Sequence, residues 1–250
     1  MTHITSPQNP RLKSLRRLSS RRERERSGTF LVEGEDLVLA ARNAGRTAVE
    51  GYRLAGSSLG EEGFHDVAPA ALKAISTLGS GARVIGVYEQ RFGAAVGPLC
   101  VYLHGVGDPG NVGTVLRSAA AFGASCVALG PGCADPHSPK AVRASMGAIF
   151  AVALARVDDV SELPGERIAL VPDAAQSLLD AHADDPLGGH TLLVGAEREG
   201  LPPSVVEACE RVVRIPIASE SLNAAMAATV ALYEMTRQPT DVPASSRVRA

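Results

Sequence analysis

From Leu99 onward the apolar residues come in short unbroken runs. Those at 99–104, 125–129, 151–156, 167–171, 191–195 and 211–217 have strand lengths, and their lack of alternation suits strands buried on both faces. Helical stretches at 111–122, 138–148, about 202–209 and 221–237 lie between most of them. Such alternation predicts an α/β fold with a mainly parallel sheet covered on both faces. Upstream the pattern changes. Residues 1–27 are charged, and Leu12, Leu15 and Leu18 recur at helical spacing, which predicts one helix with a buried stripe between Arg11 and Arg26. A strand at Thr29–Glu33 and a helix from about Gly34 to Asn43 follow, then short apolar runs and glycine-rich turns to Tyr88. This stretch reads as a small α/β domain. GAAVGP at 93–98 has linker composition. The expected organisation is therefore an N-terminal domain over 1–90, a linker over 91–98, a second domain over 99–238 and a disordered tail over 239–250.

Charge refines the N-terminal helix. The 250 residues carry a net charge of only -2, which excludes a uniformly basic coat but allows a local patch. Between Arg11 and Arg26, eight basic residues face Glu23 and Glu25, a balance of +6. Such a run is either a solvated face or a phosphate-binding one; its density and sign favour phosphate. The four cysteines show no C-x-x-C spacing and no accompanying histidine cluster, so no metal site is expected and buried thiols in a reducing compartment are. The N-terminus has no apolar signal core, and no apolar run is long enough to span a bilayer. A cytoplasmic protein without a membrane partner is expected.

Four segments could carry chemistry. In the first, residues 104–123, a strand runs through Gly105, Gly107 and Gly110 into a helix. These satisfy the dinucleotide-binding G-x-G-x-x-G, but Pro109 sits at the helix entry and the next strand ends in Gly130-Pro131-Gly132 with no acidic residue for a ribose. A nicotinamide enzyme is thus a minor alternative. Asn111 lies where it could cap the helix, and Arg117, nearly two turns on, is long enough to reach back beside it. Ala119, Ala120 and Ala121 favour close packing of that helix. In the second, Lys140 and Arg143 share a helix face and could hold a sugar-phosphate backbone or simply be solvated. In the third, a buried strand ends in Gly195 and Glu197, at the sheet edge where open α/β folds bind ligands; a carboxylate there could equally serve a helix N-terminus. In the fourth, a loop leads to Ser221, a good helix N-cap, then to Asn223 and to Ala224, Ala225, Ala227 and Ala228, where backbones can approach closely.

Taken together, DPGNVGTVLRSAAAFG (108–123), LLVGAEREGLP (192–202) and RIPIASESLNAAMA (214–227) resemble, in order, the three motifs of the SpoU branch of the SPOUT RNA methyltransferases. SPKAVRASMGA (138–148) is similar to the family as well, and residues 6–34 resemble the start of an L30e-like substrate-binding domain. The resemblance implies a C-terminal α/β-knot, a deep trefoil that patterning alone would never propose because knots are rare. It implies a homodimer with the cofactor pocket near the subunit interface. It implies methylation of a ribose 2′-hydroxyl in structured RNA from S-adenosylmethionine. The L30e-like front favours 23S ribosomal RNA, with a tRNA enzyme or an inactive RNA-binding member as alternatives. By position, Asn111, Arg117, Glu197, Ser221 and Asn223 match the catalytic set, and Gly195, Ile215 and Leu222 the cofactor cradle. Ala196 departs from the frequent Gly-Asn-Glu, which leaves only backbone contacts at that position.

The implied chemistry turns on the nucleophile, because a ribose hydroxyl is weakly acidic and must be oriented and relieved of its proton. The resemblance suggests Arg117 as the base, yet a guanidinium keeps its proton at physiological pH. As a clamp on the substrate phosphate and the developing alkoxide it meets no such objection. Arg11, Lys13, Arg16, Arg17, Arg21 and Arg22, with Lys140 and Arg143, are the expected RNA contacts.

Overall fold

The computed structural model describes residues 3–78, 81–179, 189–218 and 221–237; the tail expected after Gln238 lies outside them. Two sheets organise the chain. The first has five strands in the order β1 (His3–Ile4), β4 (His65–Val67), β3 (Glu50–Leu54), β5 (Val84–Glu89), β2 (Thr29–Glu33). It is mixed: β1, β4 and β3 are parallel, while β5 runs antiparallel to β3 and β2. Helices α1 (Pro10–Arg17), α2 (Arg21–Ser27), α3 (Glu35–Asn43) and α4 (Pro69–Lys73) accompany it.

The second sheet is parallel throughout, as the unalternating runs required. Its seven strands lie in the order β10 (Gln176–Ser177), β12 (Arg211–Arg214), β9 (Glu166–Leu170), β11 (His190–Val194), β6 (Leu99–Leu103), β7 (Cys126–Leu129), β8 (Ala153–Arg156). Its helices are α5 (Pro109–Ala121), α6 (Pro139–Ser145), α7 (Pro203–Glu207) and α8 (Ala224–Thr236). The chain leaves β6 toward β7 and β8, then crosses to the other side and returns through β11 beside β6. The winding therefore reverses between β6 and β11, and the crevice outside their carboxyl ends is where such sheets bind ligands.

Packing follows from the pattern. Val112, Val115, Leu116 and Ala119 form the buried stripe of α5, and the core that they enter also holds Phe30, Val32 and Tyr88 of the first sheet. The opposite face is sealed by Cys100, Tyr102, Cys126, Leu193 and Val205; of the four thiols expected to be buried, Cys100 and Cys126 are, while Cys133 and Cys209 are half-buried. Ala119 is buried, but Ala120 and Ala121 are exposed; the close approach is made instead by Gly113, against Ala141 and Ala144 of α6.

Several expected boundaries move. The helix anticipated over 11–26 is two helices, broken at residues 18–20. Arg24 drives the break: its Nη1 donates to the carbonyls of Leu18 at 2.7 Å and Ser19 at 2.8 Å, which a continuous helix would have used internally. The helix expected to 148 stops at Ser145, where Met146 adopts φ +50°. The strand expected to 217 stops at Arg214, ahead of Pro216, which has no N–H for a ladder.

Candidate active site

The first loop of the crevice is built around Asp108. Its Oδ1 accepts from the amides of Gly110 at 2.6 Å and Asn111 at 3.1 Å, capping α5, and its Oδ2 accepts from Lys140 Nζ at 2.6 Å. The hydrogen bond from the Lys140 ammonium, helped by those amides, holds the Asp108 carboxyl below its ordinary range. Two consequences follow. The first-turn amides are occupied by a carboxylate, so the glycine loop offers no pyrophosphate site of the dinucleotide kind. Asn111 is not the cap that its position suggested, and its side chain is released for other bonds.

Those bonds join three loops that are far apart in sequence. Asn111 Nδ2 donates to Glu197 Oε1, just past β11. Asn111 Oδ1 accepts from Asn223 Nδ2 at 3.2 Å. Asn223 Oδ1 in turn accepts from the amides of Ala225 at 3.0 Å and Met226 at 3.3 Å, so Asn223, not Ser221, caps α8. One relay, Asn223 to Asn111 to Glu197, thus fixes the carboxylate to the N-termini of two helices. The helices themselves are pinned by Ser118 Oγ and Thr229 Oγ1 at 2.6 Å.

Beside Glu197 opens a cleft of about 470 Å³, a common size for a small-molecule site. Gly195, Glu197, Ile215, Ser221 and Leu222, all expected from sequence, line it. Gly195 is required there, because a Cβ would fall 2.1 Å from the backbone carbon of Gly200. Val194, Leu201, Ile215 and Leu222 give apolar surface for a flat ring, while Asp173, Arg198 and Glu199 bring polar groups. Such a lining fits S-adenosylmethionine, which is part nucleoside and part charged amino acid. Sequence reading missed Leu170, Val171, Pro172 and Asp173 at the end of β9; their one signal was the strand end itself.

Arg117 is not drawn into this relay. Six residues turn a helix by about 600°, which puts Arg117 roughly a third of a turn from Asn111. It is exposed on α5 and no hydrogen bond or ion pair with the described residues holds it. The RNA candidates divide. Lys13, Arg16, Arg17 and Arg22 are exposed on α1 and α2. Arg11 is engaged with His65 at 2.8 Å and Glu50 at 3.4 Å, and Arg21 with Glu25 at 2.8 Å. Lys140 and Arg143 do not form a joint clamp: Lys140 serves Asp108, and Arg143 donates to Thr77 Oγ1 at 3.0 Å, across to the first sheet's half. Arg24, in the middle of the basic run, is buried against Asp135. Among the described residues no group of His, Cys, Asp or Glu side chains is placed to hold a metal.

The SpoU rRNA methylase family profile matches residues 98–233, and that of an MRM3-like substrate-binding domain matches residues 9–92. A tRNA/rRNA methyltransferase of Synechocystis sp., itself uncharacterized, is 32% identical, over 94% of this chain and 93% of its own length. The 23S rRNA (guanosine(2553)-2′-O)-methyltransferase RlmP of Bacillus subtilis is 28% identical, over 94% of this chain and 99% of its own. An AdoMet-bound rRNA methyltransferase from Sinorhizobium meliloti superposes with a TM-score of 0.83 at 28% identity, covering 94% of this chain and 97% of that one.

Proposed function

Because this chain belongs to the SpoU rRNA methylase family, we propose that it methylates a ribose 2′-hydroxyl of 23S ribosomal RNA with S-adenosylmethionine as donor. The observation that carries the reading is the relay from Asn223 through Asn111 to Glu197 on the rim of the cleft. Nothing in ordinary packing requires the half-buried Asn111 and the exposed Glu197 and Asn223, from three loops, to converge there.

When bound, S-adenosylmethionine supplies a methyl group on a sulfonium, an electrophile that needs no further activation. Gly195, Ile215 and Leu222 hold its adenine and ribose, and Ser221 adds a polar contact at the cleft wall. Glu197, held by Asn111 through one oxygen, keeps the other to accept the proton of the substrate hydroxyl as the hydroxyl oxygen takes the methyl group. Arg117 clamps the RNA phosphate and stabilises the developing alkoxide. It does so from a second copy of the chain. Met226, Val230 and Tyr233, 62%, 42% and 57% exposed, form one face of α8, and Phe122, the C-cap of α5, packs on Tyr233 with ring centroids 6.1 Å apart. An apolar face continuous with the helix of Arg117 supports a homodimer that brings Arg117 to its partner's cleft.

Residues 1–90 are the RNA-gripping domain, 91–98 the connection, and 99–238 the methyl-transfer domain. The trefoil knot belongs to the same reading: the segments after β11 and β12 face one cleft, and α8 packs back against α5 and β11. A ribosomal substrate goes with a cytoplasmic location. The test is tritiated methyl transfer to ribosomal RNA lacking the modification, followed by mapping of the labelled ribose. Arg117→Ala should keep cofactor affinity in calorimetry and lose about 10²–10³-fold in turnover. Unchanged transfer by that variant would remove Arg117 from the chemistry.

A further inference from the structure

The carboxyl edge of the parallel sheet carries a second depression, of about 270 Å³, beyond the cleft. Its floor is the turn Gly130-Pro131-Gly132 after β7, and its rim holds Arg21 of α2 with Arg156 and Asp158 at the end of β8. Leu103, Leu129 and Arg156 pair in register across β6, β7 and β8, so the groove opens on the same edge as Gly105 and Gly195. Backbone contact joins the two places. A Cβ on Gly132 would lie 3.2 Å from Gly105 Cα, and one on Gly105 would lie 3.3 Å from Ala196 Cβ, next to Glu197. From β8 to β11 is three interstrand spacings, roughly 14 Å.

The groove's charges are disposed for a polyanion. The Arg156 guanidinium rests 4.5 Å from the centroid of the Phe92 ring, a seat that orients the cation without neutralising it. Arg21 is steadied by Glu25 at 2.8 Å. Asp135, which would repel a phosphate from the groove wall, is committed to Arg24 at 2.7 Å and buried. Asp158 stays exposed on the rim, where a carboxylate can accept from a ribose hydroxyl or a base amino group. Arg21 comes from the first sheet's half and Arg156 from the second's, so the groove exists only while the two halves are docked.

We propose that this groove is an RNA subsite, which holds the sugar-phosphate of a nucleotide neighbouring the methylated one between Arg21 and Arg156. It rests on the reading of the chain as an RNA methyltransferase and assigns Arg156, outside the basic N-terminal run, to substrate positioning. The strand would run from α2 over the glycine turn to the Asn111 loop, and its backbone contacts would fix register without reading sequence.

The test uses the full chain carrying Arg21→Gln, Arg156→Gln and both, with binding of a ribosomal RNA fragment followed by anisotropy across a salt series. The double variant should bind RNA about tenfold or more weakly, with a log Kd against log salt slope shallower by about 1. Its S-adenosylmethionine affinity in calorimetry and its melting temperature should stay at the wild-type level. Arg156→Lys, which keeps the charge and gives up the planar fork, should fall between wild type and Arg156→Gln. RNA affinity within twofold of wild type and an unchanged salt slope in the double variant would overturn the proposal. Methyl transfer by the wild-type protein to the same fragment, scored in parallel, tests the underlying reading separately, because the binding readout does not depend on turnover.

Discussion

Asn111 uses both ends of its amide, and that double use sets what replacing it should do. Truncation to alanine leaves Glu197 and Asn223 without their shared partner, but Asn111 itself does not line the cleft, and Glu197 is the one lining residue that it holds. Asn111→Ala should therefore leave S-adenosylmethionine affinity within about twofold and lower single-turnover methyl transfer by roughly 10–100-fold, the scale of a misplaced catalytic group. Equal losses of binding and turnover would show that the relay only supports the cleft. The chemical identity of this residue was legible from its motif, but its job was not. A residue at a loop–helix junction reads as a cap, and only the structure reveals that Asp108 takes that work. Ser221 lines the cleft, but the capping role open to it falls to Asn223: Ser and Asn cap equally well, and two residues' difference in where α8 starts decides between them.

At the scale of elements, the crossing of α5 and α6 is set by Gly113. A Cβ there would lie 2.3 Å from the Ala141 carbonyl oxygen and 2.7 Å from Ala144 Cβ. Gly113→Ala gains about 1 kcal/mol of helix propensity, but a backbone carbonyl cannot step aside, and overpacking costs about 1–3 kcal/mol. The balance should be a lower midpoint in urea, with the same slope. A stabilised Gly113→Ala would mean that the helices separate freely. Strand runs in the parallel sheet were legible because burial on both faces leaves an unmistakable apolar signature. The break in the helix over 11–26 is not legible in the sequence because the leucine stripe continues through it. The cause of the break, Arg24 reaching the carbonyls of Leu18 and Ser19, follows from where Arg24 is anchored, and its anchor lies 111 residues away.

That anchor works at the scale of the whole molecule. Arg24 and Asp135, 2% and 8% exposed, tie α2 to the turn after β7, while Arg143 and Thr77 join the halves elsewhere. Removing one member of a buried pair strands the other, at about 3–5 kcal/mol, so Arg24→Met should unfold at much lower urea, and Arg24→Met with Asp135→Leu should recover much of the loss. No recovery in the double variant would locate the damage elsewhere. Acid should act through the same pair. Burial pushes the Asp135 carboxyl up, but hydrogen bonds from His137 and the ion pair with Arg24 prevail and hold it well below the carboxylate range. A depressed carboxyl contributes in full above the unfolded value near pH 4 and loses that contribution as pH falls further. His137, driven down by burial, withdraws stability with the same sign, beginning below about pH 6.5. Thermal melts should thus decline in two stages on acidification, and Asp135→Asn should flatten the lower one; a wild-type-like acid limb in that variant would rule the pair out. By itself the sequence determined the parallel α/β architecture, the family, and only part of the cleft lining, because apolar runs and motif order are local properties, while the end of β9 joins the cleft through strand order. Only the tertiary structure decided which side chains meet. The bonds of Asn111 to Glu197 and Asn223 and of Arg24 to Asp135 span 86, 112 and 111 residues, and spacing along a chain carries no information about contacts made by the way strands are ordered in a sheet. The placement of Arg117 on an outer face of α5 is the same kind of fact, since helical phase, not proximity in sequence, sets what a side chain can reach.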